Sequence, residues 1–288
     1  MNSQLRGDLL LLLAALIWGV GFSAQRAAMD GMGPLTFTGL RFVIGWLALQ
    51  PILRLPALAS SKPPPPRKVV IGLGLLLFVG AWCQQIGLQT TTASKAGFLT
   101  GLYVVLVPVI GIAFGKRTHL ATWLGVSFTA FGLYFLSITE DFRLAAGDGW
   151  ILLGAVIWSF HVLGLGHYAA RCNPLRLAAD QFLVTGILGS LAALMMESVD
   201  VSAAVSVLPW LLYSGIFAVA GAFTLQAFGQ AIAPPAHAAI LLSFEAVFAT
   251  GAGWLLLNEH LSLREWQGCG LMMVGIMVSQ IRRRKAKA

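Results

Sequence analysis

GDLLLLLAALIW at residues 7–18 and GDGWILLGAVIW at residues 147–158 decide the fold. The two stretches lie 140 positions apart and agree at seven of twelve positions, with Gly7, Asp8, Leu12, Leu13, Ala15, Ile17 and Trp18 recurring in the second copy. Each opens an apolar run. The first extends from Leu9 to about Ala28 and a second run soon follows, so it reads as a retained membrane helix rather than a cleaved signal peptide. At the same offset, Pro34-Leu35 and Phe42 match Pro174-Leu175 and Phe182. Gly80-Ala81, Gln85 and Gln89 match Gly221-Ala222, Gln226 and Gln230 at 141, and Trp123, Gly125 and Gly132 match Trp266, Gly268 and Gly275 at 143. Leucine-rich helices align by chance, so the weight lies in an offset that stays nearly constant along the chain.

Composition agrees with a bilayer as solvent. Of 288 residues, 58% are hydrophobic and 10% charged, against roughly 25% charged in an ordinary soluble domain. Apolar runs bounded by charge, glycine or proline give ten spans: 9–28, 36–54, 69–88, 95–115, 121–138, 150–168, 176–195, 208–227, 238–257 and 265–281. The expected fold is therefore an all-α polytopic membrane protein of ten transmembrane helices. Its two repeats occupy residues 1–139 and 140–288, the second ending in a basic tail. Each repeat has an odd number of spans, so the second copy enters the membrane from the opposite side. No length remains for a soluble catalytic domain.

Charge gives the orientation. With a cytoplasmic N-terminus, fourteen of the nineteen Lys and Arg fall on the cytoplasmic side, among them Arg6, Lys116, Arg171 and the tail from Arg282. Only Arg26, Lys95, Arg143 and Arg264 fall outside, and Arg41 lies within a span. This positive-inside bias predicts a multi-pass inner-membrane protein with both termini cytoplasmic. The net charge of +8 sits at helix ends and in the tail, which points to lipid headgroups rather than nucleic acid. The proline run Pro63–Pro66 reads as a stiff cytoplasmic spacer. Cys83, Cys172 and Cys269 have no paired spacing and read as small apolar residues. No cofactor is expected, and the partners are a small-molecule substrate and the bilayer, with the chain a monomer.

Inverted repeats place substrate sites near the midplane at the repeat interface of transporters, because alternating access needs two equivalent gates. At this point the chain resembles the drug/metabolite transporter superfamily, specifically its EamA-type members. The resemblance rests on IWGVGF at Ile17–Phe22, LRF at Leu40–Phe42, GLQTTTASKAGFLTGLYVVLVPV from Gly87 to Val109, SFEAVFA at Ser243–Ala249 and NEHLS at Asn258–Ser262. Where the second repeat has Glu259-His260, the first has Lys116-Arg117, a departure from relatives that carry an acidic residue in both. The resemblance implies ten helices around a central cavity. It also implies export of small metabolites, with broad amino-acid exporters that accept aromatic substrates as the nearest comparison.

Tryptophan normally sits at the membrane interface, yet Trp18 and Trp158 fall mid-span at repeat-related positions, and Trp82 lies in span 3. Helical spacing puts Trp18, Phe22 and Gln25 on one face. It does the same for Trp82, Gln85 and Gln89, for Phe223, Gln226 and Gln230, and for Trp158 with His161. Amides facing lipid are costly, so these faces point inward. The expected substrate-binding set is Trp18, Phe22, Trp82, Gln85, Tyr103, Trp158, His161, Phe223, Gln226, Phe244 and Glu245, suited to an uncharged or zwitterionic molecule. Interhelical packing with hydrogen-bonded amides explains any one of them equally well.

Two charges lie inside spans, where ionisable groups are functional candidates by default. Glu245, near the middle of span 9, pairs with a substrate ammonium, carries a coupling proton, or serves structure as a protonated hydrogen-bonding group. Arg41, one to two turns from the outer end of span 2, reads as a snorkelling side chain, and Asp180 as a solvated end residue. Span 4 carries Pro108 and the small-residue pairs Gly97/Gly101 and Gly111/Gly115, so a kink is expected there. A multidrug or nucleobase exporter of the same architecture is the alternative. A membrane-embedded enzyme fits less well, because the five histidines (119, 161, 167, 237 and 260) form no HExxH or other catalytic spacing.

Overall fold

The computed structural model describes residues 2–55, 61–138, 145–198, 200–257 and 262–285. Arg143, residues 258–261 of the NEHLS stretch with Glu259 and His260, and residues 286–288 of the tail lie outside them. Among the described residues the chain is helical, with no strand. The first repeat comprises α1 (Ser3–Ala28), α2 (Pro34–Leu53), α3 (Arg67–Leu88), α4 (Ala93–Gly101), α5 (Tyr103–Ala113) and α6 (Leu120–Ser137). The second comprises α7 (Asp148–Ala169), α8 (Pro174–Met196), the short α9 (Val201–Ser206), α10 (Leu208–Tyr213), a π-helical segment Ser214–Phe223 and α11 (Thr224–Gln230). It closes with α12 (Pro235–Leu242), α13 (Glu245–Leu257) and α14 (Leu263–Lys285). Taking α4–α5, α10–α11 and α12–α13 each as one interrupted span gives ten. Among the described residues seven are long and apolar enough to cross a bilayer outright, and Leu120–Leu136 and Pro235–Gly251 are shorter apolar helices.

The helix ends are chemically marked. Asn173 caps α8 by accepting from the N–H groups of Leu175 and Arg176, at 3.0 and 3.2 Å, and Pro174 takes the first turn, where no N–H is needed. Its counterpart Pro34 opens α2, and there a carboxylate does the capping. Glu197, at the far end of α8, accepts from the N–H groups of Leu35 and Thr36, each at 2.8 Å, a favourable charge at a helix N-terminus.

Along α1, Leu5, Leu9, Leu13 and Leu16 form an exposed stripe, while Leu11, Ala14 and Ala15 are buried. In lipid the hydrophobic effect does not drive helices together, so close approach of small residues carries the packing. A Cβ on Gly132 would stand 2.7 Å from the Gly268 carbonyl oxygen, and one on Gly125 2.7 Å from that of Gly275. Gly125 and Gly268 are repeat counterparts, as are Gly132 and Gly275. Gly132 therefore meets the counterpart of Gly125, and Gly125 the counterpart of Gly132, the reciprocal pattern a two-fold axis imposes. Phe42 and Phe182, also counterparts, touch each other with ring centroids 5.9 Å apart. The two five-helix repeats are thus related by a pseudo-two-fold axis running between α2 and α8 and between α6 and α14.

The fourth and ninth spans break at matching places. The fourth is interrupted at Leu102, between α4 and α5, and the ninth at Ser243 and Phe244, between α12 and α13. The expected kink at Pro108 is therefore displaced. Proline sits inside α5, and the interruption falls nearly two turns earlier, where small Gly101 and its counterpart Ser243 let the chain bend. Nothing in sequence periodicity marks the π-helical segment of the eighth span, whose wider turns press Ala218, Val219 and Phe223 toward the molecular centre.

Candidate functional site: a central cavity

The two repeats enclose a cavity of about 50 Å³, room for a few water molecules. Four pairs of repeat counterparts line it: Trp18 with Trp158, Phe22 with Val162, Thr100 with Leu242, and Tyr103 with Glu245. The last pair follows the two helix breaks, which turn both side chains inward. Phe223 forms the hub of an aromatic wall. Its ring lies 4.7 Å from that of Trp18, 5.7 Å from that of Trp158 and 5.8 Å from that of Phe42. The Trp18 indole N–H donates to the Ala218 carbonyl in the π-helical segment at 3.1 Å. The Trp158 indole N–H is buried and, like Gln226 Oε1, has no hydrogen-bond partner among the described residues. Both residues border the cavity.

Polar chemistry is concentrated and asymmetric. Glu245 is 3% exposed, and its Oε1 accepts a long contact from the Tyr103 hydroxyl at 3.5 Å. Arg41 is 4% exposed. Its Nη1 donates to Gln25 Oε1 at 2.6 Å, and the same oxygen accepts from Gln84 Nε2 at 3.0 Å. The guanidinium also lies 5.2 and 5.3 Å from the ring centres of Phe37 and Phe42. Arg41 therefore does not snorkel, because its head is turned into the protein and borders the cavity. Its repeat counterpart is Gln181 and that of Glu245 is Tyr103, so neither charge is repeated across the pseudo-two-fold.

Of the eleven residues expected from sequence, Trp18, Phe22, Tyr103, Trp158, Phe223, Gln226 and Glu245 line the cavity, and Trp82, Gln85, His161 and Phe244 do not. Trp82 stacks on Phe78 at 6.1 Å and meets Trp150, itself 41% exposed, at the periphery. Gln85 is buried with its amide nitrogen against Met29 Sδ at 3.5 Å. His161 lies behind the aromatic wall, 2.8 Å from Gln181 Oε1, and Phe244 packs on Phe248. Sequence reasoning left out Gln84 and Thr100 and misread Arg41. The cost of a buried guanidinium was the available signal for Arg41, whereas Gln84 is separated from Gln85 only by a helix rotation that periodicity does not fix.

Two further clusters clasp the ends of the bundle. At the end carrying the termini, His237 Nε2 lies 3.0 Å from Asp8 Oδ1, and the Gln280 amide donates to Asp8 Oδ2 at 3.3 Å. At the opposite end Asp148, the counterpart of Asp8, pairs with Lys95 Nζ at 2.9 Å and accepts from the Thr91 hydroxyl at 2.7 Å. Lys95 and His237 stand 142 positions apart, as do Tyr103 and Glu245. An aspartate thus ties one repeat to the other at each end, joining α7 to α4 in one case and α1 to α12 in the other. Among the described residues no group of three or more His, Cys, Asp or Glu is placed to hold a metal ion.

Ten helical spans in two inverted repeats around a central cavity have the architecture of a multi-pass membrane transporter. The chain belongs to the EamA-like transporter family, whose profile matches twice, over residues 5–138 and 145–280. It is 31% identical to an uncharacterized transporter of Archaeoglobus fulgidus over 97% of this chain and 87% of that one. It is 26% identical to an S-adenosylmethionine/S-adenosylhomocysteine transporter of Chlamydia trachomatis serovar L2, over 92% of this chain and 86% of the relative. A probable amino-acid metabolite efflux pump of Escherichia coli K12 matches at 25% identity over 47% of this chain and 44% of the pump. One crystal structure superposes with a TM-score of 0.77 over 98% of this chain and 99% of its own, at 20% identity, and shows the same fold. The protein is a transporter, not an enzyme.

Proposed function

We propose that the protein exports neutral amino acids, aromatic ones included, by alternating access through the central cavity. The observation that carries this reading is the lining itself, with aromatic rings and amides from both repeats around a single carboxylate, Glu245. Rings accept apolar side chains with little geometric demand. Glu245 offers an α-ammonium a charge-assisted partner in a region where neither would be stable alone. The names of two relatives agree in chemistry, because S-adenosylmethionine ends in an α-amino acid and so shares the head group of an amino-acid metabolite.

An amino acid exceeds the present cavity, so the Trp18, Phe223 and Trp158 rings part when it binds. The clasps supply the gates. Releasing Asp148 from Lys95 opens one end, releasing Asp8 from His237 opens the other, and the pseudo-two-fold makes the two motions equivalent. Lys116-Arg117 and the tail lie on the cytoplasmic side in this scheme, which rests on the basic-residue asymmetry. The test is thermal stability of the detergent-purified protein against tryptophan, phenylalanine, leucine, a cationic drug and a nucleobase. Binding to the folded state raises the melting temperature. A rise with the amino acids supports the reading, and a rise confined to the drug or the nucleobase overturns it in favour of the alternative exporter.

A further inference from the structure

We infer that Arg41 is the carboxylate anchor of the substrate site, so that Arg41 and Glu245 together read the two ends of an α-amino acid. This rests on the function proposed above and adds the head group to it.

Among the described residues, neither Arg41 nor Glu245 has an oppositely charged side chain within 4.0 Å. Each is almost fully buried, and both border one cavity. A buried charge without a counter-ion is expensive. Arg41 is only partly compensated, by one amide oxygen and two aromatic faces, and its Nε–H is buried with no partner. A guanidinium presents its N–H groups as a planar fork that matches a carboxylate in two parallel bonds. The Gln25 amide, shared between Arg41 and Gln84, fixes the Nη1 side of that fork and leaves the Nε side for a ligand. Both charges break the pseudo-symmetry, because neither recurs at its repeat counterpart, Gln181 or Tyr103, and they are of opposite sign. A zwitterion is the ligand whose charge pattern matches that break, whereas a nucleobase or a hydrophobic cation leaves the guanidinium uncompensated.

The experiment measures competition against labelled tryptophan on the purified full chain by tryptophan, tryptophanamide, tryptamine and indole-3-propionate, in wild type and in Arg41→Gln and Arg41→Lys. In wild type, tryptophanamide and tryptamine, which lack the carboxylate, should compete at least about tenfold more weakly than tryptophan, the scale of a lost charge-assisted contact. In Arg41→Gln the ratio between tryptophan and tryptophanamide should fall toward one, with Arg41→Lys retaining part of it. If Arg41 only braces the helices, all four ligands weaken in proportion and the ratio survives, which overturns the inference. Equal competition by tryptophan and its amide in wild type overturns it even if the variants fail to fold. Absence of any tryptophan binding in wild type removes the amino-acid reading as well, and so separates the two failures.

Discussion

Tyr103 and Glu245 are the same position of the two repeats, each the first residue after a helix break, and they meet across the pseudo-two-fold with the tyrosine hydroxyl 3.5 Å from Glu245 Oε1. A duplicated, inverted chain brings its own counterparts into contact wherever they lie on the axis. At this contact one copy carries a phenol and the other a carboxylate. The pseudo-symmetric scaffold thereby acquires a single carboxylate in its cavity lining, placed by the start of a helix.

Glu245→Gln keeps the shape and most of the hydrogen bonding while removing ionisation. Transport should weaken by roughly tenfold, the value of a bond to a charged partner, and its pH dependence should flatten, with normal expression. Rates in proteoliposomes measured across a pH series check this. An unchanged profile makes Glu245 structural.

The cavity separates residues that sequence periodicity grouped together. Trp158→Ala, Trp18→Ala and Gln226→Ala should impair transport several-fold in protein that remains folded, whereas Trp82→Ala and Gln85→Ala should leave substrate affinity unchanged. Affinity is the discriminating readout, because a packing defect lowers stability without altering it. Loss of affinity in Trp82→Ala would place the site elsewhere.

The clasps predict opposite, local effects. Asp148→Asn weakens the tie between α7 and α4, and Asp8→Asn that between α1 and α12, each by roughly 2 kcal/mol for a lost charged contact. Hydrogen exchange should rise at Ala93–Gly101 in the first variant and at Pro235–Leu242 in the second. Identical exchange changes at both ends in both variants would rule out separate gates.

Much of the fold was legible in the sequence. The offset of Gly7-Asp8 to Gly147-Asp148, and of Gly132 to Gly275, already implied two inverted copies, because glycines and helix-start residues are fixed by backbone geometry. What remained hidden depended on rotation and local winding. One residue of rotation separates Gln84 in the cavity from Gln85 outside it, and an apolar helix gives no amphipathic signal to set that angle. The π-helical segment Ser214–Phe223 widens a turn without any distinctive composition. Arg41 was visible as a charge in a span, but whether a long side chain turns out to the headgroups or into the protein depends on Gln25, Phe37 and Phe42 being beside it.

Topology is open to a separate check. Reporter fusions after Asp30, Ser61 and Asp200 should read outside, inside and outside, as the fourteen-to-four distribution of basic residues requires. A cytoplasmic signal from the Asp200 fusion would reject the arrangement of the second repeat.

The most direct test of the central claim is counterflow in proteoliposomes. Vesicles containing the purified protein and loaded with unlabelled tryptophan should transiently accumulate external labelled tryptophan, saturably and in competition with leucine and phenylalanine, and Trp158→Ala vesicles should do so several-fold more slowly. Absence of counterflow for every neutral amino acid, alongside robust flux of a drug or a nucleobase through the same vesicles, would contradict the account.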